Sequence, residues 1–303
     1  MLDFSKIKTI SIKQRKNKVK LSDLISPENS KISINSEDFN ELSERIISAH
    51  KNKKQVIAMI GAHVIKVGMS LLIIDLMKKG VIKHIAMNGA GPIHDFELAL
   101  IGETSEYVED TIENGTFGMI EETGRILNEA IKEGAKNNFG MGYAIGKKIN
   151  DINLPYKEYS ILYNAYRLNI PVTVHVAVGT DIIHQHPGCD GAAAGETTYH
   201  DFKIFAESVS RLEDGCILNI GCAVILPEVF LKALTIARNL GFRVERITAA
   251  NFDMIDHYRP RENVVHRPTS LGGKGFNIIE KHEKTIPTLH RKIIDSLDKI
   301  YKT

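Results

Sequence analysis

Two short glycine-rich turns are the first segments of this sequence that could contact a ligand. Asn88-Gly89-Ala90-Gly91 follows an apolar run from Val81 to Met87, and Gly221 follows a second run, Cys216 to Ile220. Glycine lets the backbone approach a bound molecule closely, and a helix that starts after such a turn offers free N–H groups to an anion. A tight turn without any ligand has the same pattern, so the turns alone leave both interpretations open.

A single lysine, Lys274, lies among three glycines in the segment Pro268–Gly275. A lysine on a surface loop is normally solvated. Beside a cofactor, however, a desolvated lysine amine is a nucleophile that can form an imine. Lys274 is therefore the candidate catalytic residue of this chain.

Two histidines, His184 and His186, lie in a long segment with loop character from Gly179 to Thr198. Histidine is a common metal ligand, but no carboxylate at a familiar spacing completes a metal site around this pair. We therefore predict no metal and assign both histidines, together with Asp253, to substrate binding. A metal-dependent hydrolase that uses the His-x-His pair is kept as an alternative.

The elements that would position these residues alternate between strand and helix patterns. Buried strands are predicted at Val56–Ile60, Val81–Met87, Val172–Val178, Cys216–Ile220 and Phe242–Ala249. Amphipathic helices are predicted at Ser36–His50, Ile120–Asn137, 199–212, Pro227–Leu240 and from Pro287, with connections at Gly140–Ile149 and 251–275. This alternation predicts an α/β fold with a mostly parallel sheet and helices on both faces, whose loops converge at one edge.

The composition is that of an ordinary globular protein, with 43% apolar and 25% charged residues among 303. A net charge of +2 is too small to indicate nucleic-acid binding. Three cysteines without a Cys-x-x-Cys pair favour a reducing compartment, and no apolar run approaches the ~20 residues of a membrane span. We expect a cytoplasmic protein with no membrane contact. Residues 1–35 are predicted to form a basic N-terminal arm and residues 36–303 the main domain.

The sequence resembles the deoxyhypusine synthase family along most of its length after the arm. The similarity begins with KHIAMNGAGPIHD, which matches the family's strand, glycine-rich turn and acidic helix start. Further similar segments are Gly146–Ile149, Asn169–Val172, Thr180–Ile183, Ile247–Asp253 and Ser270–Lys274. The last of these corresponds to the segment that carries the family's active lysine.

The resemblance implies a single Rossmann-like domain, a homotetramer and bound NAD. In this family NAD takes a hydride from an amine carbon, the imine passes to the lysine, and the butylamine unit moves to an acceptor amine before the hydride returns. By position, Lys274 would form the imine. The residues implied to line the NAD pocket are Asn88, Gly89, Ala90, Gly91, Asp95, Asp181, Gly221 and Thr248.

Several positions depart from the family pattern. Leu226-Pro227 stands where the family has a Lys-His pair, Leu271 stands where it has a tryptophan, and His94 stands where it has an acidic residue. The acidic groups that would hold the ends of a polyamine are fewer. The departures therefore favour a substrate other than the family's usual polyamine and protein pair.

Three arginines, Arg259, Arg261 and Arg267, crowd the loop before Lys274. Arginine attracts carboxylate or phosphate and repels a polyamine. The same arginines could instead pair with Glu262 and Asp256, and the sequence leaves both interpretations open.

The predicted function is that of an NAD-dependent transferase of deoxyhypusine synthase type, which dehydrogenates a small amine or amino-acid-like substrate and transfers it through Lys274. A homospermidine-type polyamine synthase, in which both partners are small amines, is one alternative. A non-catalytic NAD-binding protein is another.

Overall fold

A computed structural model describes residues 2–301 of the protein, and this part of the chain contains eight strands. In chain order they are β1 (Asn17–Lys20), β2 (Val56–Ile60), β3 (His84–Asn88), β4 (Glu103–Glu106), β5 (Val172–His175), β6 (Cys216–Ile220), β7 (Thr248–Asp253) and β8 (Lys274–Ile279). Strands β1 and β4 form a small antiparallel pair, and the other six form one parallel sheet in the order β5-β3-β2-β6-β7-β8. This is the strand order of a Rossmann fold, and its direction reverses between β2 and β6.

The helices connect these strands and cover the sheet. They are α1 (Glu37–Lys51), α2 (Ala62–Lys66), α3 (Ser70–Lys78), α4 (Ala90–Ile101), α5 (Val108–Ile112), α6 (Glu121–Lys136), α7 (Met141–Asp151), α8 (Ile161–Arg167), α9 (Gly191–Ser210), α10 (Ile225–Asn239), α11 (Tyr258–Pro260), α12 (Arg267–Thr269) and α13 (His282–Tyr301). A short π-helix, Arg261–His266, joins α11 to α12. No helix within residues 2–301 is long and apolar enough to cross a lipid bilayer.

The side chains of the central strand β2 point alternately to the two faces of the sheet. Val56, Ala58 and Ile60 belong to a large apolar cluster with α1, α3 and α13. Ile57 and Met59 belong to a smaller cluster with α9 and α10. Because a strand alternates its side chains with a period of two, a continuous apolar run is buried on both faces. The predicted single Rossmann-like α/β domain with helices on both faces is confirmed.

The segment Gly140–Ile149, predicted as a glycine-rich connection, is instead most of helix α7. Its glycines let the helix lie directly on neighbouring backbone. A Cβ at Gly142 would lie 2.2 Å from the carbonyl oxygen of Val172, and one at Gly146 would lie 2.6 Å from that of Leu162. Close packing therefore outweighs the low intrinsic helix propensity of glycine here.

The second half of the sheet departs from the sequence prediction. The predicted strand Phe242–Ala249 begins too early, since β7 runs from Thr248 to Asp253, and β8 lies at the end of the predicted loop 251–275. Strand β8 is half-exposed at the edge of the sheet. An edge strand lacks the continuous apolar run by which the other parallel strands are recognised.

The residues of the predicted N-terminal arm lie against the body of the protein. Strand β1 pairs with β4, and the Arg15 guanidinium donates two hydrogen bonds, of 2.9 and 2.7 Å, to the Glu97 carboxylate on α4. The arm is therefore held against β4 and α4.

Candidate functional site

The carboxyl ends of the parallel strands meet at one edge of the sheet, and most of the predicted site residues lie there. Asn88 ends β3, Asp253 ends β7, and Gly221 directly follows β6. Asp181 lies in the loop after β5. In open parallel sheets the ligand binds outside this edge, at the point where the strand order reverses.

At the reversal point the backbones of two glycines touch. A Cβ built on Gly61, which follows β2, would lie 2.0 Å from the carbonyl oxygen of Gly221. The φ of Gly221 is +67°, a conformation that favours glycine. Over this corner the rings of His63 and His282 lie 5.7 Å apart, and His282 Nδ1 is buried without a hydrogen-bond partner. Burial lowers the pKa of His282, so the neutral imidazole is favoured.

Asp181 lies beside the glycine turn after β3. Its side chain is 7% exposed, yet Oδ2 has no hydrogen-bond partner. A Cβ at position 89 would lie 2.0 Å from this oxygen, so a larger residue there would displace the Asp181 side chain. Burial raises the pKa of Asp181 to about 6. A buried carboxylate oxygen without a partner is costly in a folded protein and is typical of a position that a ligand completes.

His184 follows Asp181 in a 3-10 helix, Ile182–Gln185. Its Nδ1 accepts hydrogen bonds of 3.3 Å from the backbone N–H groups of Gly179 and Asp181, so Nε2 carries the proton in the neutral ring. That Nε2 is buried and has no acceptor. Burial lowers the pKa of His184, which keeps the ring neutral. His184 and Asp181, whose Nδ1 and Oδ2 atoms lie 3.9 Å apart, therefore each bring one unpaired buried polar atom to this loop.

A cavity of about 250 Å³ opens beside Asp181, between the loop after β5, helix α4 and the N-terminal arm. Its polar lining residues are Arg15, Lys18, Lys66, His94, Glu97, Ser105, Glu106, Thr180 and Asp181. His94 donates a hydrogen bond of 2.8 Å from Nδ1 to the Thr104 hydroxyl, whose own proton goes to Glu97, and burial lowers the pKa of His94 to about 4. The cavity is smaller than the ~300–1,000 Å³ typical of drug-sized ligands, so its volume suits a molecule of amino-acid size.

Two of the predicted site residues have structural roles away from the cavity lining. Asp95 is fully buried and accepts hydrogen bonds from Ser160 Oγ and the backbone N–H groups of Ile161 and Leu162, which caps α8. His186 contacts the carbonyl oxygen of Gly118 through Nε2 at 2.8 Å. The rings of His184 and His186 do not point to the same side, because the two residues lie at the end of a 3-10 helix and not on a strand. Ala90 and Gly91 form the first turn of α4 beside the site.

Lys274 and Thr248 lie at the opposite edge of the sheet from the glycine turns. They open β8 and β7 and face each other in register. Since a strand rises about 3.3 Å per residue, the six residues of β8 place Lys274 roughly 15–20 Å from the carboxyl edge. The loop before Lys274 starts at the carboxyl edge but must return to the amino edge before a parallel strand can begin. Within one chain the structure does not bring Lys274 and Thr248 to the predicted site.

The Lys274 side chain is 44% exposed, and its Nζ lies 3.4 Å from Glu41 Oε2 on α1. We expect a Lys274→Met variant to change amine-dependent NADH formation by less than about twofold, because exposed ion pairs contribute little to stability and the amine does not reach the cavity. Steady-state kinetics of the variant beside wild type would check this. A loss of turnover with unchanged folding would restore Lys274 as the nucleophile, with a second copy of the chain then completing the site.

The three arginines of the loop before β8 have partners of their own. Arg259 lies 3.4 Å from Glu228, Arg261 pairs with Asp256 at 2.6 Å, and Arg267 donates to Asn263 at 2.6 Å. Of the three arginines, Arg261 is the one that pairs with Asp256 and Glu262, as the second interpretation of the sequence expected. Among residues 2–301, no group of three His, Cys, Asp or Glu side chains is placed to hold a metal ion.

Sequence reasoning missed several residues at this edge, namely Arg15, His63, Lys66, Glu106 and His282. His63 had a usable signal, since it follows the strand-ending Gly61 by two residues. Arg15 and Glu106 had no such sequence signal. They come together at the cavity only because the arm folds back and β1 pairs with β4.

Comparisons with known proteins show which folds this chain shares. No family model and no curated protein matches the sequence. A solved structure of a LOR/SDH protein from Methanococcus maripaludis is 14% identical over 90% of this chain and 74% of its own, with a TM-score of 0.52. AgrE, solved in a ternary complex with ornithine and NAD+, is 12% identical over 89% of this chain, with a TM-score of 0.54, and the match spans 34% of the AgrE chain.

A protein described as a deoxyhypusine synthase from Entamoeba histolytica is 10% identical over 85% of this chain and 87% of its own, with a TM-score of 0.52. Identities this low establish the fold and not the reaction. The chain therefore shares one fold with the LOR/SDH protein, with AgrE and with the protein described as a deoxyhypusine synthase.

Proposed function

We propose that this chain is an NAD-dependent enzyme that oxidises a small amine at the carboxyl edge of its sheet. The observation that carries the proposal is the buried pair Asp181 and His184, whose Oδ2 and Nε2 lack partners beside the Asn88–Gly91 turn. Unpaired buried polar groups with shifted pKa values in a cleft are typical of a functional site. The AgrE complex with ornithine and NAD+ on the same fold supports this choice of cofactor and substrate class.

The residues present fit a dinucleotide. Asn88 Oδ1, His184 Nε2 and His282 Nδ1 are buried polar atoms without partners along the same edge, which could pair with polar groups of the cofactor. Helix α4 begins at this edge without a side-chain cap, so its first N–H groups are available to an anion. At the start of α10, by contrast, the Leu226 N–H donates to Cys222 Sγ and Pro227 has no N–H. The glycine-rich fingerprint of most Rossmann folds is absent, since Gly61-Ala62-His63 follows β2.

NAD+, when bound, supplies a hydride acceptor for the carbon that bears the amine. As that carbon loses its hydride, the nitrogen lone pair forms the C=N bond of an iminium ion, and one ammonium proton must first leave the nitrogen. The Asp181 carboxylate can accept this proton. Its pKa of about 6 leaves it ionised at neutral pH yet more basic than an exposed aspartate, as a general base requires.

Transfer of the oxidised unit to an acceptor amine is the further step that the deoxyhypusine synthase resemblance implies. Because Lys274 opens β8 at the far edge, we propose that the acceptor amine attacks the iminium carbon directly, without a lysine adduct. The carbon then bears both amines and expels the first one, which departs with a proton, and the new imine would finally take back the hydride that NADH supplies.

Two measurements test the proposal. Titration with NADH, followed by ligand fluorescence, should show saturable binding, and incubation with NAD+ and a panel of amines should form NADH with at least one of them. Failure to bind NADH would falsify the cofactor assignment. NADH binding without any amine oxidation would leave a non-catalytic nucleotide-binding protein, which is the remaining alternative.

A further inference from the structure

The cavity beside Asp181 has an unbalanced set of buried charges. Arg15 and Glu97 neutralise each other through a bidentate ion pair. The hydroxyls of Thr104 and Thr123 also donate hydrogen bonds to the Glu97 carboxylate. Two further carboxylates face the same space, on Glu106 and Asp181. The interior therefore carries more negative than positive charge.

Glu106 is the second incomplete group of the cavity. Its side chain is 6% exposed, Oε1 accepts a hydrogen bond of 3.1 Å from the Gly118 N–H, and Oε2 has no partner. Arg15 Nη1 lies 4.0 Å from Glu106 Oε1, too far for a hydrogen bond. Burial raises the pKa of Glu106, as expected for a carboxylate that is short of a cation.

The backbone that presents Glu106 is itself unusual. Ser105, which lines the cavity, has a φ of +68° inside strand β4. A residue other than glycine in this conformation is strained, and such residues concentrate at functional sites. This conformation lies one residue before Glu106, whose side chain lines the cavity, in a strand that stays paired with β1.

The mouth of the cavity has the opposite charge. Lys66, at the end of α2, is exposed and makes no ion pair within the described part of the chain. Lys18, by contrast, is already 3.6 Å from Glu109 and lies over the Tyr107 ring. A ligand that satisfies this arrangement carries a cation toward the interior and an anion toward the mouth.

We propose that the cavity binds the substrate as an amino acid, with an ammonium group between Glu106 and Asp181 and a carboxylate at Lys66. The inference rests on the proposed function, in which Asp181 faces the reacting amine. The substrate is then a zwitterion and not a plain diamine, and Glu106 and Lys66 are binding residues. The volume of about 250 Å³ accommodates a molecule of that size.

The test compares ligands that differ only in the carboxylate. Isothermal titration with L-lysine and cadaverine, and with L-ornithine and putrescine, should show tighter binding of the amino acid in each pair. Lys66→Met should reduce this preference by roughly 3- to 5-fold and leave diamine binding unchanged, as expected for an exposed charge contact. Lys51→Met, which removes an exposed lysine on α1 far from the cavity lining, serves as the matched control.

Glu106→Gln should weaken every ammonium ligand by roughly 10- to 100-fold, since a buried charge-assisted hydrogen bond is lost. Circular dichroism confirms folding of this variant, and the exposed Lys66 change provides an independent readout. Equal affinities for lysine and cadaverine in wild type and Lys66→Met would overturn the inference. So would NADH binding without any amine binding, whereas amino-acid binding without NADH binding would overturn only the proposed function.

Discussion

An Asp181→Asn variant is expected to lose amine-dependent turnover by about 10²–10⁴-fold while it retains NADH binding, because removal of a positioned general base costs that much. Asparagine has nearly the same shape, so the contact with Gly89 is kept. Steady-state kinetics and NADH titration on the same preparations separate the two effects. Unchanged turnover in the variant would show that Asp181 is not the base.

The pH profile provides a second readout of the same prediction. Asp181 accepts a proton only when ionised, so kcat/KM of the wild type should fall as the pH drops below its pKa of about 6. Burial lowers the pKa of His184, which favours its neutral form. The acidic limb should therefore be absent from the residual activity of Asp181→Asn. A limb that persists unchanged in the variant would have to come from another group.

Stability should change in the opposite direction from activity. The pKa of Asp181 is about 6 in the folded protein, above the ordinary value of about 3.9 for aspartate, so the folded state binds more protons between these values and stability decreases as the pH rises through them. The penalty is complete above pH 6 and vanishes below about pH 4. At neutral pH Asp181→Asn should therefore be more stable by roughly 3 kcal/mol.

Asp95 provides a matched control for this stability effect. Burial raises the pKa of Asp95 to about 6 as well, but Asp95 accepts three hydrogen bonds that cap α8. Asparagine has one acceptor oxygen and would turn its NH₂ group toward one of these donors, so Asp95→Asn should destabilise the protein. Urea unfolding of both variants at neutral pH measures the contrast. Equal losses of stability would contradict the view that Asp181 Oδ2 lacks a hydrogen-bond partner in the folded protein.

The fold was predictable from sequence where burial is continuous. Strand β2 matches its predicted bounds, Val56–Ile60, because every side chain is buried between two helical layers. The glycine turn at Asn88 was also recognised, since it follows such a strand. Both features depend on neighbouring residues and on the period of the apolar pattern.

The site was less predictable because it depends on direction and on distant contacts. The glycines around Lys274 favoured a position at the site. The structure shows instead that Lys274 is the first residue of the edge strand β8, which the sequence pattern did not reveal. Arg15 reaches Glu97 across 82 residues of sequence, and no local pattern encodes that contact. Residues after a strand could be assigned to the carboxyl edge, whereas residues before an unrecognised strand could not.

A Gly61→Ala variant is expected to lose about 3 kcal/mol or more of unfolding free energy, since the new Cβ would lie 2.0 Å from a backbone oxygen of Gly221. The φ of Gly61 is −79°, which alanine adopts freely, so only this contact is at issue. Gly195→Ala is the matched control, because nothing lies within 4 Å of a Cβ there and alanine should stabilise α9 by up to about 1 kcal/mol. Forced separation of β2 from β6 would also distort the corner where the strand order reverses, so we expect weaker NADH binding in whatever fraction of Gly61→Ala folds. Wild-type stability and NADH affinity in that variant would show that the two strand ends can separate without consequence, and the proposed cofactor position would then have to be abandoned.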